Sequence, residues 1–294
     1  MYKNCLICGQ DYDVLILNNL RMRKCKGCGL IWLEDFNVSE NGYRKEMVDT
    51  TQGKIKERLL DSKDRFNILK RYAKLDNLCD IGCGDGSFLE ILRQNGYKNI
   101  FGIDPNIMFC KFARQRGLEV FEGKIEDFSR LTKNRTINTI TMFHLIEHLK
   151  NPKEILEVIY KNIKKGDKLI IETPSIDAVP LKNSNYVHRL IYSKHLFYFN
   201  IKNLQKFLTD IGFKVEAMGK RDFNRYNLNI RESLFRLGFL PARIIKEAND
   251  SRLERKERKK HSIKSFIKNI IRKALSRVVI LFGRTNFIWV VAEK

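Results

Sequence analysis

The segment Asp80-Ile-Gly82-Cys83-Gly84-Asp-Gly86 constrains this chain more than any other. It joins a short apolar stretch, Asn77–Gly82, to a helix-like stretch, Ser87–Asn95. Three alternating glycines between a strand and a helix let the backbone approach a ligand without side chains in the way. A second strand, Asn99–Ile103, ends at Asp104, where a carboxylate can accept hydrogen bonds from both hydroxyls of a ribose. A dinucleotide loop has the pattern G-x-G-x-x-G, whereas here the glycines run G-x-G-x-G. Asp80 would also repel a pyrophosphate, so the loop suits a nucleoside ligand that carries an amino group and no phosphate.

The pattern continues as alternating strands and helices. Helices are expected at Pro105–Arg116, Pro152–Ile163 and Ile201–Ile211, the first opened by Pro105 in its first turn. Strands are expected at Glu119–Phe121, Ile137–Phe143, Lys168–Glu172, Phe213–Ala217 and Phe287–Ala292. This order predicts an α/β, Rossmann-like fold: a seven-stranded, mostly parallel sheet with helices on both faces.

Cysteine placement adds a second unit. Four of the seven cysteines form two pairs, Cys5-x2-Cys8 and Cys25-x2-Cys28, sixteen residues apart. Two such pairs, each followed by glycine, can supply four thiolates to a tetrahedral Zn²⁺ with no open position, a structural site. The expected division is a zinc ribbon over 1–40, a helical connector over 41–75, the α/β domain over 76–220 and 286–294, and a basic helical insertion over 221–285.

The chain has 294 residues and a formal charge of +22, from 56 basic and 34 acidic residues. Eleven Lys/Arg against two Glu lie between Ser251 and Arg277. Ile263, Phe266, Ile267, Ile270, Ile271, Ala274, Leu275, Val278 and Val279 recur there at helical spacing with basic residues between them. A packed lid over the acceptor, a membrane-surface contact through 261–282 and a nucleic-acid arm all fit this pattern. No apolar run approaches the ~20 residues that span a bilayer, and Met1–Gln10 has no signal-peptide core. The expectation is a cytoplasmic protein, with peripheral contact at the inner face of the membrane if the basic helix lies on lipid.

"LCDIGCGDGSFLEIL" with "GIDPN" resembles the donor-binding motifs of class I S-adenosylmethionine-dependent methyltransferases. "HLIEHLKNPKEILEVIYKNIKKGDKLIIETPS" and "HLFYFNIKNLQKFLTDIGFKV" resemble the subfamily of ubiquinone-biosynthesis O-methyltransferases and sugar and surface-polysaccharide methyltransferases. The N-terminal cysteine ribbon is similar to one fused to such domains in glycan-modification enzymes. The resemblance covers about 1–219 and the final strand.

It implies S-adenosylmethionine as donor. Gly82, Cys83, Gly84 and Gly86 would line its methionine and ribose, Asp80 would orient its amino group, and Asp104 with Pro105 would hold the ribose. The segment around Ile125 would pass the adenine, and Phe143 and His144 would sit near the sulfonium. A hydroxyl acceptor needs a base, and His195 or His144 is expected in that role, because both fall where the sheet's C-terminal edge should open. The ubiquinone-type enzymes carry Glu-x-x-Glu-His, acids implicated in holding a divalent cation, where this chain has His144-x-x-Glu147-His148. That exchange weakens the case for Mg²⁺, which prefers oxygen.

The expected reaction is O-methylation of a sugar or surface-glycan precursor, nucleotide- or lipid-linked. The alternative is an RNA methyltransferase using the ribbon and the basic insertion. Nucleic acid is not the expected partner, since no Asn-Pro-Pro-aromatic or Asp-Pro-Pro-aromatic motif follows the fourth strand and the ribbon lacks interleaved aromatics.

Overall fold

The computed structural model of the chain describes residues 2–36, 51–178, 191–221 and 285–294, with the single positions Ile271, Ala274 and Val278. The rest of the basic insertion, including most of the amphipathic pattern, lies outside the described residues.

Seven strands form the main sheet: β4 (Leu78–Ile81), β5 (Ile100–Asp104), β6 (Val120–Glu122), β7 (Thr139–Phe143), β8 (Lys168–Pro174), β10 (Lys214–Arg221) and β11 (Phe287–Glu293). Their spatial order is β10-β11-β8-β7-β4-β5-β6. The run from β8 to β6 is parallel, while β11 is antiparallel to both its neighbours. The α/β, mostly parallel, Rossmann-like sheet expected from the sequence is the fold observed.

Alternate residues of each central strand feed two cores. Cys79, Ile81, Phe101, Ile103, Ile140, Met142, Leu169 and Ile171 face α4 (Phe128–Thr132), α5 (Pro152–Asn162) and α6 (Ile201–Ile211). Leu78, Ile100, Ile170 and Val291 face α1 (Gln52–Leu69), α2 (Ser87–Gln94) and α3 (Ile107–Gln115). Burial on both faces explains why the strands read as apolar runs with little polar alternation. α1 falls within the segment 41–75, and its Phe66 and Leu69 pack into the second core.

Pro105 does not open α3. It precedes Asn106, which caps the helix by accepting the N–H groups of Met108 and Phe109. Asn106 provides both the extended backbone and the side-chain acceptor that an N-cap requires, so the helix begins after it.

The cysteine-rich segment is a hairpin of β1 (Tyr12–Leu17) and β2 (Leu20–Cys25), followed by β3 (Ile31–Leu33). Asn18 and Asn19, at φ 50° and 60°, form the two-residue turn that matches strand twist. β3 then pairs with β9 (Phe197–Tyr198), Ile31 against Tyr198 and Trp32 against Phe197. The ribbon therefore shares its sheet with the α/β region, and Trp32, Leu30 and Cys5 join the core that holds Phe197 and Phe199.

Candidate active site

The strand order reverses at β4, with β5 and β6 on one side and β7 and β8 on the other. Open α/β sheets bind ligands in the crevice at that point, beyond the strands' C-terminal ends. The glycine loop leaves β4 there. Gly82, Gly84 and Gly86 all have positive φ, at 74°, 54° and 74°. A side chain on Gly86 would meet Leu118 Cδ1 at 2.6 Å, whereas one on Gly84 would meet no atom within 4 Å. Gly86 is thus demanded by packing, and Gly84 faces open space.

Asp104, at the end of β5, braces this loop. Its Oδ2 accepts the N–H of Gly84 and its Oδ1 the N–H of Asn106, both at 2.8 Å. Burial raises its pKa, partly offset by these two bonds. Asp80, 2% exposed, accepts the Thr141 hydroxyl at 2.6 Å. Burial pushes its carboxyl up to about 7, against the pull of the Thr141 bond and of Arg65. Cys83 turns its thiol into the sheet, where a Cβ on Gly102 would overlap it, so this residue offers the crevice only backbone. Pro105 is half-buried beside Asp104, and Ile125 is buried in a short turn, Ile125–Asp127, after β6.

Phe143 ends β7, with its ring edge-on to Phe88 at 4.8 Å and the Arg65 guanidinium 4.8 Å from its centroid. His144 follows with φ 53°, an uncommon conformation for a residue with a side chain. Its Nδ1 lies 3.4 Å from Glu147 and its Nε2 3.2 Å from Glu172. Burial alone would lower its pKa, but the two carboxylates outweigh burial and raise it. The two carboxylates thus favour the protonated ring of His144 over the free base.

Glu172 belongs to a buried network that sequence reasoning missed. Arg221 donates to both carboxylate oxygens of Glu172 and to both of Asp61. Arg65 bridges Asp61 at 3.0 Å and Glu172 at 2.9 Å. The network ties α1 to β8 and β10 at the crevice. The available signals were an acid inside the apolar strand Lys168–Pro174 and the i, i+4 pair Asp61 and Arg65.

His195 lies elsewhere, 5% exposed, with its ring 4.8 Å from His148 and 4.2 Å from Tyr192. The turn Ile146–His148 brings Glu147 to the same place: Leu196 N–H donates to the Glu147 carbonyl at 2.7 Å. His148 Nδ1 lies 2.8 Å from the Lys194 carbonyl. Burial raises the Glu147 carboxyl, but His144, His148 and His195 together bring it down to about 2. The structure thus places both candidate bases beside Glu147, His144 also against Glu172 and His195 also against His148.

The four ribbon cysteines are unoxidised. Cys5 Sγ is 3.5 Å from Cys28 Sγ and Cys8 Sγ 3.3 Å from Cys25 Sγ, and all four sulfurs lie within 4.8 Å of one another. Gly9 and Gly29 take φ 68° and 72° behind them. Among the described residues no helix is long and apolar enough to cross a membrane.

Comparison with known proteins bears on this geometry. A family model described as "Methyltransferase domain" matches residues 51–218. The mitochondrial ubiquinone biosynthesis O-methyltransferase of Dictyostelium discoideum is 26% identical over 111 residues, 33% of this chain and 35% of that protein. A tRNA U34 carboxymethyltransferase of Helicobacter acinonychis is 25% identical over 128 residues, 40% of this chain and 48% of that protein. The chain thus spans less than half the length of these curated relatives. The crystal structure of a SAM dependent methyltransferase from Archaeoglobus fulgidus superposes with TM-score 0.52 at 20% identity, over 81% of this chain and 94% of that one, which shows the fold.

The tRNA-directed name among these relatives overturns the expectation against nucleic acid as a partner. The motifs whose absence argued that expectation mark methylation of a base's exocyclic amine, and they do not bear on other nucleic-acid acceptors. With the family model covering more than half its length, the chain belongs to the methyltransferase-domain family, and it has the fold of an S-adenosylmethionine-dependent methyltransferase.

Proposed function

We propose that the chain transfers the methyl group of S-adenosylmethionine to an acceptor hydroxyl, with a sugar or glycan precursor as the first acceptor class to test. The observation that carries the reading is the pair of 2.8 Å bonds fixing Asp104 between Gly84 and Asn106 at the strand-order reversal. A carboxylate accepts more than one bond per oxygen, so Asp104 keeps capacity for both ribose hydroxyls. Gly82, Gly84 and Gly86 would carry the methionine arm, Asp80 its ammonium, and Phe143 would face the sulfonium.

The donor is already activated, so the protein has to align the nucleophile and take its proton. We assign the acceptor side to His195, with Glu147 and His148 beside it. The carboxylates that raise the His144 pKa favour a positioning role for that residue.

An RNA acceptor is a second reading, favoured by the tRNA-directed name of relatives and by the charge of +22. In either case we infer that Cys5, Cys8, Cys25 and Cys28 hold a structural Zn²⁺, because four clustered thiols on two glycine-backed turns match its tetrahedral preference.

Calorimetric titration with S-adenosylhomocysteine tests the donor site. Micromolar binding that Asp104→Ala abolishes supports it; a folded protein that binds nothing rejects it. Turnover of labelled donor on nucleotide sugars against unmodified tRNA then separates the acceptors.

A further inference from the structure

Asp85 stands between two left-handed glycines of the loop, Gly84 and Gly86, and is 4% exposed. Gly86 N–H donates to the Cys83 carbonyl at 3.0 Å, so Asp85 lies inside a tight turn. The glycines permit the turn's shape but bring no side chain that could hold it. A Cβ on Gly84 would meet nothing within 4 Å, so no packing fixes that residue on its open side. The position of the loop there depends on its hydrogen bonds.

Both carboxylate oxygens of Asp85 are engaged. Oδ1 accepts the Ser87 N–H at 3.1 Å and the Ser87 hydroxyl at 2.7 Å, at the start of α2. Oδ2 accepts from Arg58 Nε, on α1, at 2.7 Å. Arg116, which caps the C-terminus of α3, donates to the Asp85 carbonyl at 3.3 Å, and the same nitrogen lies 3.9 Å from Oδ2. Two cations from two helices therefore converge on one buried residue of the glycine loop. The charge they face also reaches Asp104: burial raises the Asp104 pKa, the Asn106 and Gly84 bonds oppose this, and the Asp85 carboxylate adds to it.

Arg58, Asp61 and Arg65 recur at i, i+3 and i+7 on α1, the spacing of one helix face. Arg65 and Asp61 bind the Glu172 and Arg221 network. The helix thus reaches the donor loop through Arg58 and the other side of the crevice through Asp61 and Arg65.

We propose that Arg58 is a positioning residue for donor binding, which acts through Asp85 to fix the glycine loop from α1 while Arg116 braces the same residue from α3. The proposal rests on the donor site read at Gly84 and Asp104, and no donor contact is assigned to Arg58 itself. The Arg58 side chain is 31% exposed, and an ion pair with one partner that exposed adds little to global stability. Without Arg58, the Asp85 carboxylate keeps its Ser87 bonds and Arg116, so its charge is not stranded. Arg58 therefore serves the placement of the loop more than the stability of the fold.

The test compares Arg58→Gln, Arg58→Lys, Asp85→Asn and the double variant Arg58→Gln/Asp85→Asn in the full chain. Arg58→Gln should weaken S-adenosylhomocysteine binding about tenfold, the order of one hydrogen bond to a charged group, with the melting temperature little changed. Arg58→Lys should recover part of the affinity. The double variant should bind no more weakly than Asp85→Asn alone, because the two residues act as one unit. Without ligand, amides 84–87 should exchange hydrogen faster in Arg58→Gln than in the unaltered chain. Unchanged affinity or unchanged exchange in Arg58→Gln overturns the proposal, as do losses that add in the double variant. A loss that follows a fall in melting temperature and that Arg58→Lys does not recover assigns Arg58 to the fold alone and overturns it too. An unaltered chain that binds no homocysteine product rejects the donor reading and this proposal together. An unaltered chain that binds it no better than Arg58→Gln does rejects this proposal alone.

Discussion

Leu33 donates its backbone N–H to the carbonyl of Leu196 at 2.8 Å. The last residue of β3 in the cysteine hairpin is thereby fixed to the residue that follows His195. Leu196 N–H continues the connection to Glu147, and the Asn203 side chain reaches the Cys28 carbonyl at 3.4 Å. The ribbon has too little apolar core to fold alone, so metal binding would supply its folding energy. Removing zinc, or a Cys25→Ser/Cys28→Ser variant, should loosen the segment around His195 and leave the donor loop intact. Hydrogen exchange is the measurement: amides of 196–198 should exchange at least about tenfold faster, with β4 and β5 unchanged. Unchanged protection at 196–198 would disprove the coupling.

Gly84 and Gly86 look equivalent in sequence but should fail differently. Gly86→Ala places a Cβ 2.6 Å from Leu118 Cδ1 and 3.2 Å from Ala113 Cβ. Overpacking together with a positive φ should cost about 2–4 kcal/mol, read as a lower melting temperature. Gly84→Ala meets nothing within 4 Å, so it bears only the backbone strain of about 1–2 kcal/mol. Its new methyl projects where the donor would lie, so homocysteine-product affinity should fall tenfold or more. Equal melting temperatures for the two variants would contradict this division.

The same contrast shows what was legible in the sequence. The loop, Asp104 and the strand–helix alternation are local patterns, and local patterns survive translation into structure. The helix Ile201–Ile211 keeps its expected bounds and ends at Gly212, at φ 119°. The pairing of β3 with β9 joins residues more than 160 positions apart, and no periodicity reports it. The network of Asp61, Arg65, Glu172 and Arg221 was hidden for the same reason, since its members lie up to 160 positions apart and no local pattern joins them. The surroundings of His144 depended on Glu172, which the sequence placed inside an apolar strand without a partner.

Arg221, 3% exposed, neutralises two buried carboxylates. Arg221→Met should destabilise the chain by about 3–5 kcal/mol, because Asp61 and Glu172 would stay buried with Arg65 shared between them and His144 beside Glu172. Denaturant unfolding measures this. Adding Asp61→Asn and Glu172→Gln should restore much of the loss by removing the stranded charge. The network also has a pH signature. Burial would raise the Glu172 pKa, but Arg221 and Arg65 hold it well below the usual range. Its stabilisation is present above the ordinary glutamate pKa and is lost as pH falls through the depressed value. Stability of the unaltered chain should therefore drop in acid more steeply than that of the triple variant.

Asp80 titrates in the opposite sense, and this sets the last prediction. Burial raises its carboxyl to about 7 in the unliganded protein, with Thr141 and Arg65 pulling down and Asp104 pushing up. Below that pH Asp80 is neutral and gains little from the donor's ammonium. Binding must then release a proton, so affinity should fall as pH drops, by up to about tenfold per unit well below the pKa. Above it the carboxylate is already ionised and affinity should level off. Calorimetry with S-adenosylhomocysteine between pH 6 and 8, in two buffers of different ionisation heat, reads both the slope and the proton released. Asp104 is also raised by burial, so Asp80→Asn identifies the source: the variant should bind more weakly at pH 8 and lose the slope. A slope that persists in Asp80→Asn would assign the titration to Asp104, and no slope in the unaltered chain would remove Asp80 from the ammonium site.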